Sequence, residues 1–357
     1  MKLFFILIFL FIIIAPFIYF QHYFHSINKL TKMIFSFLSL LTLFVTLIKI
    51  YFHPNSPFFF ILTLILQYYM LSLFVSMILL IIYQFICRCL HKQVIQKISI
   101  ILIVISISFV SIGYITHFHK VKEPYQITIH KESSLDYLHI AFVSDMHLGS
   151  GTYLNDVKNF VDAMNKNDYD LVCFGGDLFD ETTPKEMIPE ALALLSQIDS
   201  RYGMYAVNGN HEHYAQFLDQ QAYKKNNIHL LSENYVCVNG LFNIVGREDV
   251  SAKSHITYQQ VIQNMDTSLP TIVLDHNPKR YQEVMSESDL QLSGHTHAGQ
   301  AFPLSLATAP LYDNDYGLLL KNDFSLIVTS GYGSWGFPVR FMTQCEFVDI
   351  MVTFSKK

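Results

Sequence analysis

The sequence predicts an α/β chain in two parts. An N-terminal region of four transmembrane helices covers residues 1–118, a layered α/β domain covers 136–357, and residues 119–135 join them. Three observations predict this. Residues 1–118 hold seven Lys and Arg and no Asp or Glu, while the remainder holds 17 Lys and Arg and all 29 Asp and Glu. Formal charges of +7 and −12 therefore share one chain of net charge −5. Long apolar stretches fill the first part, and from about residue 125 short β-rich runs alternate with helical ones. A composition of 51% hydrophobic and 15% charged residues excludes intrinsic disorder, which needs low hydrophobicity and high charge.

The apolar stretches are about 3–20, 33–51, 57–87 and 98–118. About 20 apolar residues in a helix cross the hydrocarbon core of a bilayer. Four buried helices of a soluble protein would need charged outer faces, and no acid occurs among these residues. The first stretch has one leading charge (Lys2), contains Pro16 and lacks a small-residue cleavage site, so it reads as an uncleaved span. Loops 21–32 and 88–97 carry Lys29, Lys32, Arg88, Lys92 and Lys97, against Lys2, Lys49, Lys120 and Lys122 on the other side. Basic loops stay cytoplasmic, which puts the large domain outside the cytoplasm. Cys87 and Cys89 lie at a helix end and Cys173 in a buried strand, leaving Cys237 and Cys345 as the one conceivable disulfide pair.

In the second part 139–144, 170–175, 204–208, 271–274 and 289–293 read as strands, with helical spacing over 154–166 and 185–198. Near the strand ends lie groups of metal-ligating residue types. They are Asp145-Met146-His147, Gly176-Asp177-Leu178-Phe179-Asp180, Gly209-Asn210-His211-Glu212, Asp275-His276-Asn277-Pro278 and Gly294-His295-Thr296-His297. Open α/β sheets bind ligands beyond the carboxyl ends of their strands, so the groups are expected to converge. Carboxylates, imidazoles and one amide without thiolate suit Mn, Fe or Zn. Seven or more ligands exceed the needs of one catalytic ion. Two divalent ions sharing a carboxylate fit the count and suit phosphoryl transfer.

At these residues the chain resembles the calcineurin-like metallophosphoesterases, whose DxH, GDxxD, GNH[DE], lone His and GHxH motifs appear here in order as DMH, GDLFD, GNHE, DHNP and GHTH. The resemblance implies a four-layer αββα fold. It makes Asp145, His147 and His297 ligands of one metal, Asn210, His276 and His295 ligands of a second, and Asp177 the bridge. It implies that His211 is the general acid or charge stabiliser at the leaving oxygen, and that Asp180 and Glu212 orient histidines and position water. Gly176, Gly209 and Gly294 are expected to let the backbone turn tightly before each ligand. Arg340, at the end of the Gly- and aromatic-rich segment 330–340, is a candidate phosphate contact, and Arg247, near the motifs with His213 and Asp249, a further one. The sequence departs from the common pattern at Ala298, where relatives often have Gly, and at Glu181, which adds negative charge at the rim.

The expected function is hydrolysis of a phosphate ester or pyrophosphate at a bilayer by attack of a metal-bridging hydroxide. The subgroup that joins such a domain to membrane helices resembles YkuE-like phosphoesterases. That wider group includes hydrolases of UDP-2,3-diacylglucosamine, so a lipid-linked substrate is implied. A phosphodiesterase for a soluble substrate, anchored by its spans, and a non-catalytic metal-binding membrane sensor are the alternatives. The acidic catalytic part disfavours nucleic acid as a partner, because affinity for it rests on basic groups.

Overall fold

The computed structural model describes residues 2–23, 29–252 and 256–355, with side chains over residues 10–22 in the first helix. The chain divides into two compact units, Met1–Ile115 and Thr116–Lys357. In the first unit, α1 (Lys2–Tyr23), α2 (Lys29–Phe52) and α3 (Pro57–Cys89) pack around Phe20, Phe35, Met77 and Leu80, and α4 (Gln96–Phe118) leads out of it. Lys32–Phe52, Pro57–Cys89 and Gln96–Phe118 are long and apolar enough to cross a membrane. The expected span at 3–20 falls in α1, whose described apolar part, Leu10–His22, is too short to cross. Among the described residues, three helices rather than four qualify.

The second unit contains two mixed six-stranded sheets. The first orders its strands β1-β12-β2-β3-β4-β5: β1 (Lys120–Ile129), β2 (Tyr137–Val143), β3 (Leu171–Phe174), β4 (Met204–Ala206), β5 (Ile228–Leu230) and β12 (Cys345–Phe354). The second runs β10-β11-β9-β8-β7-β6: β6 (Asn234–Val238), β7 (Phe242–Gly246), β8 (Thr271–Leu274), β9 (Leu290–Ser293), β10 (Gly317–Lys321) and β11 (Phe324–Val328). Alternation along β2 shows how the layers form. Ile140 and Phe142 point between the sheets with Ile244, Ile272 and Leu292, whereas Ala141 and Val143 point outward beneath α5 (Leu154–Asn165) and α6 (Met187–Leu195). Val245, Val273 and Val328 cover the far face of the second sheet with Tyr258 and Tyr281.

Two expectations change. The stretch 119–135 contains β1, ten residues long, which enters as the edge strand of the first sheet. Pro124 is compatible with that edge, where its missing N–H leaves no ladder bond unmade. Cys237 and Cys345 are not paired: all five cysteines are free, Cys237 exposed and Cys345 buried.

The arrangement of β12 matters for the site. It is antiparallel to β2 and parallel to β1, with Lys120 opposite Cys345. The start of β1, where the chain arrives from α4, is therefore at the same end of the sheet as the carboxyl end of β2.

Candidate metal centre

The five groups converge at the carboxyl ends of β2, β3, β4, β8 and β9. Asp145 follows β2, Asp177 follows β3, His276 follows β8, and His295 and His297 follow β9. Asn210 and His211 open α7 (Asn210–Ala215), just beyond β4. The backbone departs from ordinary geometry at the same residues: Asp145, His147, Asp177, His295 and His297 all have φ between +46° and +72°. Left-handed backbone at non-glycine residues costs about 1–3 kcal/mol each and persists where surrounding structure enforces it, typically at functional sites. This supplies the bend that lets His295 and His297, two residues apart, serve different positions. Of the three glycines expected to turn tightly, only Gly176 is left-handed (φ +91°); Gly209 and Gly294 instead leave room. A Cβ on Gly294 would lie 2.2 Å from Asp145 Oδ2, and one on Gly209 2.2 Å from Asp177 Oδ1.

Two donor sets result. In the first, His147 Nε2 and His297 Nε2 face each other at 3.1 Å, and Asp145 Oδ1 lies 3.4 Å from the latter. In the second, His276 Nε2 is 3.0 Å from Asp177 Oδ2 and 3.3 Å from His295 Nδ1, which lies 2.8 Å from Asn210 Oδ1. Asp177 also lies within reach of His147, at 3.9 Å. Each of Asp145–His147–His297 and Asp177–His276–His295 forms a cluster able to hold a metal ion, and His147, Asp177 and His211 form a third, overlapping one. Converging imidazole nitrogens and carboxylate oxygens repel or compete unless a cation lies among them. The donor chemistry thus fits divalent ions of the Mn, Fe or Zn kind.

The electrostatics agree with that fit. Burial and the neighbouring His276 and Arg340 charges hold His295 and His297, respectively, below the usual imidazole value, which favours the neutral form of both. Burial opposes the charges of Asp177 and His276, but their mutual attraction outweighs it, lowering the carboxyl and raising the imidazole. A proton there occupies a place suited to a cation.

The residues around the donors divide by what they touch. Asp180 Oδ2 accepts from His147 Nδ1 at 3.3 Å and from Ser150 Oγ at 2.6 Å, so it orients His147. His211 binds Asp177 Oδ1 through its backbone N–H (2.8 Å), and its Nδ1 lies 2.7 Å from Glu181 Oε2. Burial alone would depress this imidazole, but Asp177, Glu181 and Asp180 raise it to about 9. Glu212, expected to orient a histidine, instead accepts the backbone N–H groups of Asp177 (2.9 Å), Phe179 (3.0 Å) and Gly209 (2.8 Å), clamping two ligand loops together.

Neither arginine read as a phosphate contact faces the centre. Arg340 is fully buried; it donates to His297 O at 2.9 Å, Ser330 O at 2.7 Å and Ser334 Oγ at 3.0 Å, and its Nη2 meets His297 Nδ1 at 2.9 Å. A guanidinium only donates, so Arg340 fixes the orientation of His297 from behind. Arg247 is 1% exposed, pairs with Glu283 at 2.8 Å and lies over the Tyr258 ring. His213 pairs with Glu248 at 2.7 Å, and Asp249 is buried. Sequence reasoning flagged Glu181 only as a departure, although its place directly after Asp180 carried the signal that it reaches His211.

Residues 138–299 match the family described as calcineurin-like phosphoesterase. The chain is 34% identical over 222 residues to an uncharacterized metallophosphoesterase of Helicobacter pylori, covering 58% of this chain and 58% of that one. It is 28% identical over 249 residues to a transmembrane protein with metallophosphoesterase domain from Bos taurus, covering 64% and 56%. It is 25% identical to the uncharacterized metallophosphoesterase YkuE of Bacillus subtilis, covering 57% and 74%. The matched region thus spans little more than half the length of the first two relatives.

Proposed function

We propose that this chain is a membrane-anchored, dinuclear-metal hydrolase of phosphate esters or pyrophosphates, a reading supported by the match of residues 138–299 to the calcineurin-like phosphoesterases. One observation carries the reading: two donor sets, Asp145–His147–His297 and Asp177–His276–His295, lie side by side with Asp177 within reach of both. Two divalent ions bound there would acidify a water and neutralise phosphoryl oxygens. Asp180 and Arg340 hold His147 and His297 in orientation, and Asn210 completes the second set. The Asp177, Glu181 and Asp180 carboxylates raise the His211 imidazole, which favours its protonated form. With Nδ1–H on Glu181, the other ring N–H is left to donate to the leaving oxygen.

The substrate reading is a phosphorylated lipid or lipid-linked pyrophosphate of the UDP-2,3-diacylglucosamine kind, supported by the apolar helices that anchor the chain. With Lys32–Phe52, Pro57–Cys89 and Gln96–Phe118 as spans, Lys29, Lys32, Arg88, Lys92 and Lys97 lie on one side, against Lys49, Lys120 and Lys122. That asymmetry supports a catalytic domain outside the cytoplasm. The test is hydrolysis of model phosphodiesters and lipid-linked phosphates by the purified full chain with added Mn²⁺. Activity should disappear in Asp177→Asn and fall about 10²–10⁴-fold in His211→Ala. Undiminished turnover in both variants would sink the mechanism.

A further inference from the structure

The metal centre and the entry of the chain from α4 share one end of the second unit, and an exposed apolar segment lies beside them. The unit begins at Thr116, so the last turn of α4 belongs to it. There His117 is fully buried; its Nε2 donates to Gly151 O at 3.0 Å, and its Nδ1 meets Ser334 Oγ at 2.9 Å. Ser334 in turn receives Arg340 Nε, and Arg340 holds His297. Three residues therefore link the end of a membrane-crossing helix to a metal-ligating histidine.

Directly after His297, residues 298–312 (AGQAFPLSLATAPLY) contain no charged residue. A soluble surface rarely leaves such a stretch uncovered, yet Phe302, Leu304, Leu306 and Leu311 are 40%, 61%, 67% and 62% exposed, and Met342 is 78% exposed. The segment is anchored. Phe302 N donates to Phe341 O at 3.0 Å, Gln300 Nε2 to Trp335 O at 3.0 Å, and Thr308 Oγ1 to Asp315 Oδ2 at 2.9 Å. Its polar groups are tied to the domain while its large side chains remain outside. Phe341 and Met342 lie four and three residues before the start of β12, whose first residue, Cys345, pairs with Lys120. The apolar shelf thus occupies the end of the unit that the membrane helix enters. It also runs into the metal centre: Tyr312 follows Leu311, its ring lies 6.3 Å from that of His295, and Lys279 sits 5.2 Å from the Tyr312 ring centroid.

We propose that residues 301–311 and Met342 form an interfacial shelf resting in the headgroup region of the bilayer crossed by α4, so that the centre takes phosphoesters of membrane amphiphiles. The substrate part of this proposal rests on the phosphoesterase reading; the docking part does not. The bilayer is the occupant because a crossing helix delivers the chain to this end, because the shelf presents exposed apolar side chains of the kind that bury at the headgroup boundary, and because Lys279 at its inner margin suits an anionic phosphate. A phosphate reaching His295 across Tyr312 would leave an alkyl tail directed over the leucines.

The test uses the full chain in phosphatidylcholine vesicles. Leu306→Trp emission, obtained by subtracting the parent's Trp335 spectrum, should be blue-shifted and quenched by phosphatidylcholine brominated near the top of its acyl chains. It should be shielded from aqueous acrylamide. Free access of acrylamide without lipid quenching overturns the proposal, as does shielding without lipid quenching, which would identify a protein surface or second copy as the cover. The second arm compares methyl p-nitrophenyl phosphate in solution with hexadecyl p-nitrophenyl phosphate in the vesicles. The triple variant Leu304→Ser, Leu306→Ser, Leu311→Ser should lose about tenfold in kcat/KM on the hexadecyl ester and nothing on the methyl ester. Equal losses, or none, overturn it. If neither ester is hydrolysed by the parent, the phosphoesterase reading fails while the fluorescence arm still decides whether the shelf meets lipid.

Discussion

The two donor sets use the same residue types but are supported differently. In the Asp145–His147–His297 set, the outward nitrogen of each histidine meets a charged side chain: Asp180 at His147 Nδ1 and Arg340 at His297 Nδ1, with Arg340 fully buried. In the Asp177–His276–His295 set, His276 Nδ1 rests on one backbone carbonyl, that of Gly175 at 2.8 Å, while His295 is partly exposed beside Tyr312. Groups that hold a ligand from behind fix its ring orientation, and removing them typically weakens metal binding about 10–100-fold. The first set is therefore the more rigid half and the second, through His295, the more accessible one.

Asp177 belongs to both halves, so its loss should have the largest effect. Asp177→Asn removes the carboxylate paired with His276 and lying within reach of His147. Calorimetric titration with Mn²⁺ should fall from two sites to at most one weak site, and turnover by about 10³-fold or more. Two intact sites in the variant would show that Asp177 joins nothing. In the parent, chelator should remove the ions in two phases, and Asn210→Ala should abolish only the faster one. Loss of the slow phase instead would reverse the comparison.

Arg340→Met should act on one half alone. It frees His297 and should weaken one of the two Mn²⁺ sites about 10–100-fold while sparing the other. The guanidinium also satisfies the buried carbonyls of His297, Ser330 and Gly333. A lower melting temperature is therefore expected besides, since each unsatisfied buried group costs about 1–3 kcal/mol. A lower melting temperature with both sites equally weakened would mean that Arg340 serves the fold and not His297 in particular.

The donors themselves were legible in the sequence because their types and order carry the chemistry: an Asp or His directly after a strand has few other places to go. What surrounds them was not, because a residue type does not say which way its side chain turns. Arg340 suits phosphate and a buried carbonyl cluster equally well, and only the fold decides between them. Glu212 was read as a partner of histidines, whereas three backbone N–H groups claim its carboxylate. The strand β1 was hidden because an edge strand tolerates the Pro and charged residues that mark a linker.

The smallest effect expected concerns a residue that touches no ligand of either set. Glu181 Oε2 lies 2.7 Å from His211 Nδ1, and with Asp177 and Asp180 it raises the imidazole to about 9. The sign follows from the role. A proton donor works while protonated, so activity should hold below the His211 pKa and fall as pH rises through it. Glu181→Gln keeps a hydrogen-bond acceptor but removes the charge, so the imidazolium loses stabilisation and its pKa drops. The basic limb of the kcat profile should then move to lower pH, with the rate on the acidic side nearly unchanged and the two Mn²⁺ sites intact. An unmoved limb would mean that a group other than His211 supplies the proton. A limb that moves together with weakened metal binding would mean that Glu181 supports the accessible half rather than the acid.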